Sequence, residues 1–398
     1  MASFARLAGR VVTGAGVLAL SPVLGLAALA GTAMVGAEPT VFAVTGLAVF
    51  ASVLFLGLLL CVPRPGVAWG RWLRAVVILG VEVAVVWQVT GATLRPAPGR
   101  PVPAPVAGQR EWRLPTGSRL AYVRIEPRRV TRTDPVLFLH GGPGVADLEA
   151  DSAFYGKLAA DGYQVYVYDQ LGAGRSARLA DPRGYGLARD VADLEAIRQA
   201  VGARRLNLIA RDYGAQLAAA YLAAHRDRVA RAVLYSPAGL DRAQAAAAAL
   251  PGPGGRLDPR VLAVYTLLRV EPRAAHAFAG DRELDAYLDH VRRRAPHPCP
   301  APVPTGSGGY VGLLGRLPPG SLAESLGGVP APVLIVKGAC DEQGWSAATA
   351  YRRALPSARF AYAGDGTAYL EVLRAFLTDR PLHTYDGDGP PPGYLGPA

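Results

Sequence analysis

Three apolar runs open the chain, at residues 11–35, 41–62 and 75–94, and they constrain its folding more than anything that follows. Each reaches the ~20 residues a helix needs to cross a bilayer core, where backbone polar groups must be satisfied within the segment. Residues 1–94 therefore read as a three-helix transmembrane bundle. The first run is also compatible with a signal peptide, with Arg6 and Arg10 ahead of it and Val35-Gly36-Ala37 as a cleavage site. Its apolar length favours a retained span. Arg64, Arg71 and Arg74 crowd the second connection, whereas the first holds only Glu38. That asymmetry puts the N-terminus and the second connection in the cytoplasm and everything after residue 94 outside, as an integral protein of the cell membrane. Trp69, Trp72 and Trp87 sit near the ends of the third run, where interfacial aromatics belong. Glu82 falls mid-run and is costly there unless neutral or paired. A protonated glutamate hydrogen-bonded inside the bundle is favoured over a proton relay.

Residues 95–110 change character to "RPAPGRPVPAPVAGQR", a semi-rigid extended linker, after which a soluble domain must begin. The +11 net charge comes almost wholly from arginine, since lysine occurs only at Lys157 and Lys337. These arginines are scattered, with no basic run interleaved with aromatics, so a nucleic-acid partner is not expected. From residue 111 a hairpin is followed by apolar strands "PVLFLH", "YQVYVYD", "LNLIA", "RAVLYS", "PVLIVKG" and "ARFAYAG", alternating with helical patterns. Such alternation argues for a mostly parallel, doubly wound sheet covered on both faces, with a core at 111–237 and 330–382. Residues 238–329 are too long for a simple crossover and read as an inserted lid. Residues 383–398, "HTYDGDGPPPGYLGPA", read as a flexible tail.

In such a sheet, chemistry collects at the carboxyl ends of the strands, and three motifs fall there. "HGGPG" begins at His140, "DQLGAGRS" begins at Asp169, and "ARDYG" places Asp212 at a sharp strand-to-helix turn. Together they resemble the α/β-hydrolase family, the first two most closely its prolyl iminopeptidase branch, with Leu171 where that branch usually has arginine. The resemblance covers residues 111–382 and implies an α/β-hydrolase fold with an oxyanion loop at Gly141 and Gly142. It makes Asp212 the nucleophile position, as in the epoxide hydrolase and haloalkane dehalogenase branches, and Asp341 the orienting acid. The backbone N–H of Tyr213 joins Gly142 as an expected oxyanion donor.

The elbow itself does not require serine. It needs a strained turn, small residues at Ala210 and Gly214, and a helix N-terminus that favours negative charge at Asp212. The bland alternative is an aspartate that merely caps the helix. The family histidine is missing: Gly366-Thr367 stands where Gly-His is expected, and His225, His276, His290, His297 and His383 match no catalytic position. An ester on Asp212 would then lack a general base to hydrolyse it. Asp212 and Asp341 are instead expected to face one cavity as a coupled pair, one carboxyl protonated, with His140, Asp365 and Thr367 as contributors. Such a site suits cyclisation, elimination or isomerisation of a lipophilic small molecule. The alternatives are an epoxide or halide hydrolase and a catalytically silent binding module.

Tyr265, Leu267, Leu268 and Phe278 in the lid suit either a lipophilic ligand or ordinary core, and Glu271, Glu283 and Asp285 read as solvated helix charges rather than an amine site. No metal-ligand spacing or dinucleotide glycine fingerprint appears, so neither metal nor cofactor is expected. Cys299 and Cys340 are the only cysteines of the soluble domain, and whether they pair is open, as is the oligomeric state.

Overall fold

Helices α1 (Ala2–Met34), α2 (Pro39–Cys61) and α3 (Ala68–Leu94) take up the three apolar runs, and all three are long and apolar enough to cross a membrane. The computed structural model describes residues 2–240, 258–295, 297–299, 306–314, 322–364 and 366–397. It divides into two compact units, Met1–Pro98 with Gly252–Gly280, and Gly99–Pro251 with Asp281–Ala398.

In the first unit many large apolar side chains point outward, Leu60 being 75% and Trp87 81% exposed. Close approach of α1 and α2 depends on Gly46, where an added Cβ would lie 2.9 Å from the Gly25 carbonyl oxygen and 2.8 Å from the Leu29 Cβ. Helix α3 begins at Ala68, earlier than residue 75. Its first turns are used: Arg74 donates to the carbonyls of Val62 (3.1 Å) and Leu59 (2.7 Å), which the end of α2 leaves open. Glu82 Oε2 has no hydrogen-bond partner among the described residues, so the expected bond within the bundle is not formed there.

The same unit takes half of the expected lid. Helices α7 (Pro259–Val270) and α8 (Pro272–Phe278) are each opened by a proline and capped by the acidic side chains of Asp258 and Glu271. The α7 helix packs on α1 and α3. Arg260, buried, donates to the Thr93 carbonyl at 2.9 Å and lies over the Phe278 ring, which meets Phe42 at 5.7 Å. Leu267 and Leu268 are buried here. Their apolar face is core, the second of the two readings the sequence left open.

The second unit holds an eight-stranded sheet in the order β1-β2-β4-β3-β5-β6-β7-β8. Strands β1 (Gln109–Arg113) and β2 (Arg119–Ile125) form the hairpin, and β2 is antiparallel to β4 (Val165–Tyr168). The rest, β3 (Val136–Leu139), β5 (Leu206–Arg211), β6 (Val229–Tyr235), β7 (Val333–Gly338) and β8 (Arg359–Ala363), run parallel. Strands β3, β4 and β7 are buried at every position, because helices cover both faces. Those helices include α4 (Leu148–Tyr155), α5 (Leu187–Ala200), α6 (Tyr213–Ala224), α11 (Trp345–Ala354) and α12 (Gly366–Leu377).

The other half of the insertion belongs to this unit as α9 (Asp281–Arg294) and α10 (Gly309–Leu314). Asp285 joins them to the sheet: it accepts from the Gly309 N–H at 2.7 Å and pairs with Arg178 at 3.1 Å. Asp285 and Glu283 are buried, not solvated as the sequence suggested. The linker packs too, exchanging hydrogen bonds between Arg100 and Arg282 (2.8 and 3.0 Å). Nor is the tail loose. The N–H groups of Tyr385, Leu395 and Trp345 bond to the carbonyls of Phe360, Ala339 and Pro397, at 2.7 to 2.9 Å. Proline and glycine give that segment a coil composition, but Tyr385 and Tyr394 pack edge-on against Trp345, at 5.7 and 5.1 Å. Cys299 and Cys340 form a disulfide.

Candidate active site

Asp212 follows β5 and precedes α6 with φ 53° and ψ −116°. A β-carbon makes this a costly conformation, of order 1–3 kcal/mol, that persists only where the surroundings enforce it. Enforcement comes from the Asp212 N–H bonded to the Tyr235 carbonyl (3.1 Å) and from Gly214, where any Cβ would lie 2.2 Å from the Leu139 carbonyl oxygen. The Asp212 side chain makes no capping bond to α6, so the capping alternative fails.

The carboxyl turns instead into a cavity of about 140 Å³ walled by Gly141, Gly142, Val145, Arg211, Tyr235, Ser236, Arg292 and the loop Cys340 to Gln343. The Gly142 N–H donates to Asp212 Oδ2 at 2.6 Å, and Gln343 Nε2 donates to Oδ1 at 2.7 Å. Burial raises this carboxyl above its ordinary range, against the Gly142 N–H and the charges of Arg292 and Arg211.

Asp341 lines the same cavity, but its own charge is settled behind the wall. Its Oδ2 pairs with the buried Lys337 Nζ at 2.7 Å, and its Oδ1 accepts from Ser236 Oγ and from the Gln343 N–H at 2.9 Å. The expected carboxylate pair sharing one proton is therefore corrected: a cation already compensates Asp341, and the Gln343 amide stands between the two acids. Lys337 also donates to the Gln343 carbonyl at 2.6 Å, which fixes the loop that aims the amide.

His140 does not face the cavity. Its Nδ1–H donates to the Gly141 carbonyl at 2.9 Å and its Nε2 accepts from the Gln170 N–H at 2.9 Å. Burial, with Arg211 close by, pushes this imidazole down to about 4, so it is a neutral brace for the loop. Tyr213, whose N–H was expected as an oxyanion donor, is absent from the cavity wall, and its hydroxyl donates to Asp190 at 2.7 Å. Thr367 is exposed on α12 and lies outside the wall, while Asp365 falls outside the described residues. His297 reaches only the rim, where Nδ1 meets Glu342 Oε1 at 3.1 Å and Nε2 meets the Arg292 carbonyl at 2.9 Å. Among the described residues no histidine lines the cavity.

Gln343, Lys337, Arg211, Ser236 and Arg292 are the site residues that sequence reasoning missed. Lys337 carries a usable signal: one of two lysines in an arginine-rich chain, it stands four residues before Asp341.

A family model described as alpha/beta hydrolase fold matches residues 134–269, the stretch that supplies β3 to β6 and the elbow. The second unit has the α/β-hydrolase fold. Proline iminopeptidases from Heyndrickxia coagulans and Xylella fastidiosa are 34% and 35% identical to it over 122 and 100 residues, 31% and 25% of this chain. The matched segments span 41% and 31% of those relatives. A solved proline iminopeptidase from Mycobacterium smegmatis is 22% identical, with a TM-score of 0.46 over 68% of this chain and 95% of that one.

Proposed function

We propose that this chain is a membrane-anchored enzyme of α/β-hydrolase fold that uses Asp212 for proton transfer rather than for hydrolysis. The observation that carries this reading is the Asp212 carboxyl, held in the cavity by the Gly142 N–H and the Gln343 amide with, among the described residues, no imidazole in the wall. A raised carboxyl can accept a proton from substrate and return it to another atom of the same molecule. The electron pair freed by proton removal forms the new bond, and nothing else enters or leaves, as in a cyclisation or isomerisation; an elimination differs only in expelling a leaving group. Gln343 cannot take a proton, so it orients Asp212 without competing for that role. The fold's peptidase and esterase chemistry is disfavoured by the same two features, an aspartate at the elbow and no histidine beside it.

One observation favours a second reading, in which Asp212 attacks an epoxide or alkyl halide. The Gly142 N–H on Oδ2 is placed to hold charge if water were to attack an ester formed through Oδ1. A silent binding module is disfavoured, since a strained elbow aimed into a cavity has no use in it. We place the hydrolase-fold unit outside the cytoplasm, on the arginine asymmetry of the connections and on the Cys299–Cys340 disulfide, which suits an oxidising compartment.

The test begins with a deletion strain: the metabolite that accumulates is purified and offered to the full-length protein and to Asp212→Asn. The wild type should convert it, and the variant should lose about 100-fold or more of kcat. Full turnover by Asp212→Asn overturns the reading.

A further inference from the structure

We infer that the cavity beside Asp212 takes a substrate bearing a carboxylate, and that the guanidinium of Arg211 binds it. This deepens the reading of Asp212 as the reacting group and rests on it for the word substrate.

Two of the charges in the cavity wall already have ion-pair partners. Arg292 pairs with Glu342 at 3.2 Å, and Asp341 pairs with Lys337 at 2.7 Å. Arg211, the last residue of β5, lines the cavity, yet among the described residues it makes no ion pair and no side-chain hydrogen bond. Its neighbour Asp212 attracts it through space but accepts no hydrogen bond from it, because both Asp212 oxygens turn to Gly142 and Gln343. Asp151 on α4 lies within electrostatic reach behind it, but forms no ion pair with it. A guanidinium held in protein with its donors unmatched is costly, and such a group is retained where a ligand completes it.

The shape of the demand is specific. A guanidinium presents planar N–H donors that meet a carboxylate through two parallel bonds. One fork of unmatched donors asks for one planar acceptor, and the nearby charges of Asp151 and Asp212 favour the cation without bonding to it. A dianion such as phosphate would also face Asp212, Asp341 and Glu342 across the same small space. Gly141, Gly142 and Val145 contribute uncharged wall to the same cavity, which suits a substrate whose remainder is neutral.

The experiment uses the full chain in detergent and calorimetric titration with propanoate, its neutral isostere propanamide, and inorganic phosphate. Propanoate should bind the wild type, with propanamide weaker by about tenfold or more. Arg211→Gln should lose about tenfold or more in propanoate affinity, and Arg211→Lys, which keeps the charge without the planar fork, should fall between. Asp212→Asn should still bind propanoate, so failure of the proton-transfer reading leaves this result standing, and the reverse also holds. Equal binding of propanoate and propanamide, unchanged binding by Arg211→Gln, tighter binding of phosphate than of propanoate, or no binding of any probe would overturn the inference. Melting curves of both Arg211 variants show that a loss reflects the site rather than unfolding.

Discussion

Replacing Lys337 with methionine tests how the acid loop is charged. Lys337 and Asp341 are 2.7 Å apart with both side chains fully buried, so removing the cation strands a carboxylate in the interior. Stranding one partner of such a pair costs about 3–5 kcal/mol. For a domain of this size that is a fall in Tm of about 6–20 °C, read by thermal unfolding of the full chain in detergent. Lys337→Met with Asp341→Asn removes both charges while an amide oxygen still accepts from Ser236 and the Gln343 N–H. The double variant should regain more than half of the loss. If Lys337→Met alone lowers Tm by no more than about 2–4 °C, roughly 1 kcal/mol, Asp341 is neutral and shares a proton with Asp212, and the ion pair with Lys337 is refuted.

Gln343→Glu sets a second carboxyl against Asp212 Oδ1, so the acid limb of the pH–rate profile should move up by about one unit or more; an unmoved limb would show that Gln343 does not touch the reacting group. Asp151, pushed up to about 6 by burial, keeps its proton in the folded state over a range where the unfolded chain, with its ordinary value of 3.8, has released it. Stability from this group is present below the unfolded value and falls as pH rises through about 6, and Asp151→Asn should flatten that slope in melting curves taken between about pH 4 and 8. Cys299→Ser should lower stability by about 2–4 kcal/mol, since the bridge closes a sequence separation of 41 residues and ties the insertion to the acid loop; a melt unchanged from wild type would show that the bridge holds nothing in place.

The strand-end motifs made much of the site legible. His140 to Gly144 and Asp212 each sit at a turn whose backbone demands few residue types, and such demands leave marks in a sequence. The apolar runs were legible as three long helices because their length and apolar composition leave few other structures open. Gln343 left no mark: its role comes from standing two residues after Asp341 on a loop that Lys337 pins, and a surface glutamine looks no different in sequence. The insertion stayed undecided because Leu267, Leu268 and Phe278 are apolar whether they face a ligand or neighbouring helices. The tail is coil, as its proline and glycine advertise, but its two tyrosines pack on Trp345, a contact that composition does not reveal.

The central claim is that Asp212 moves protons and forms no ester that water must open. Turnover in water labelled with ¹⁸O, followed by mass spectrometry of product and of the peptide holding Asp212, tests it most directly. Product without label and an unlabelled Asp212 carboxyl are expected. Label entering the Asp212 carboxyl during turnover would contradict the account and establish the nucleophilic route.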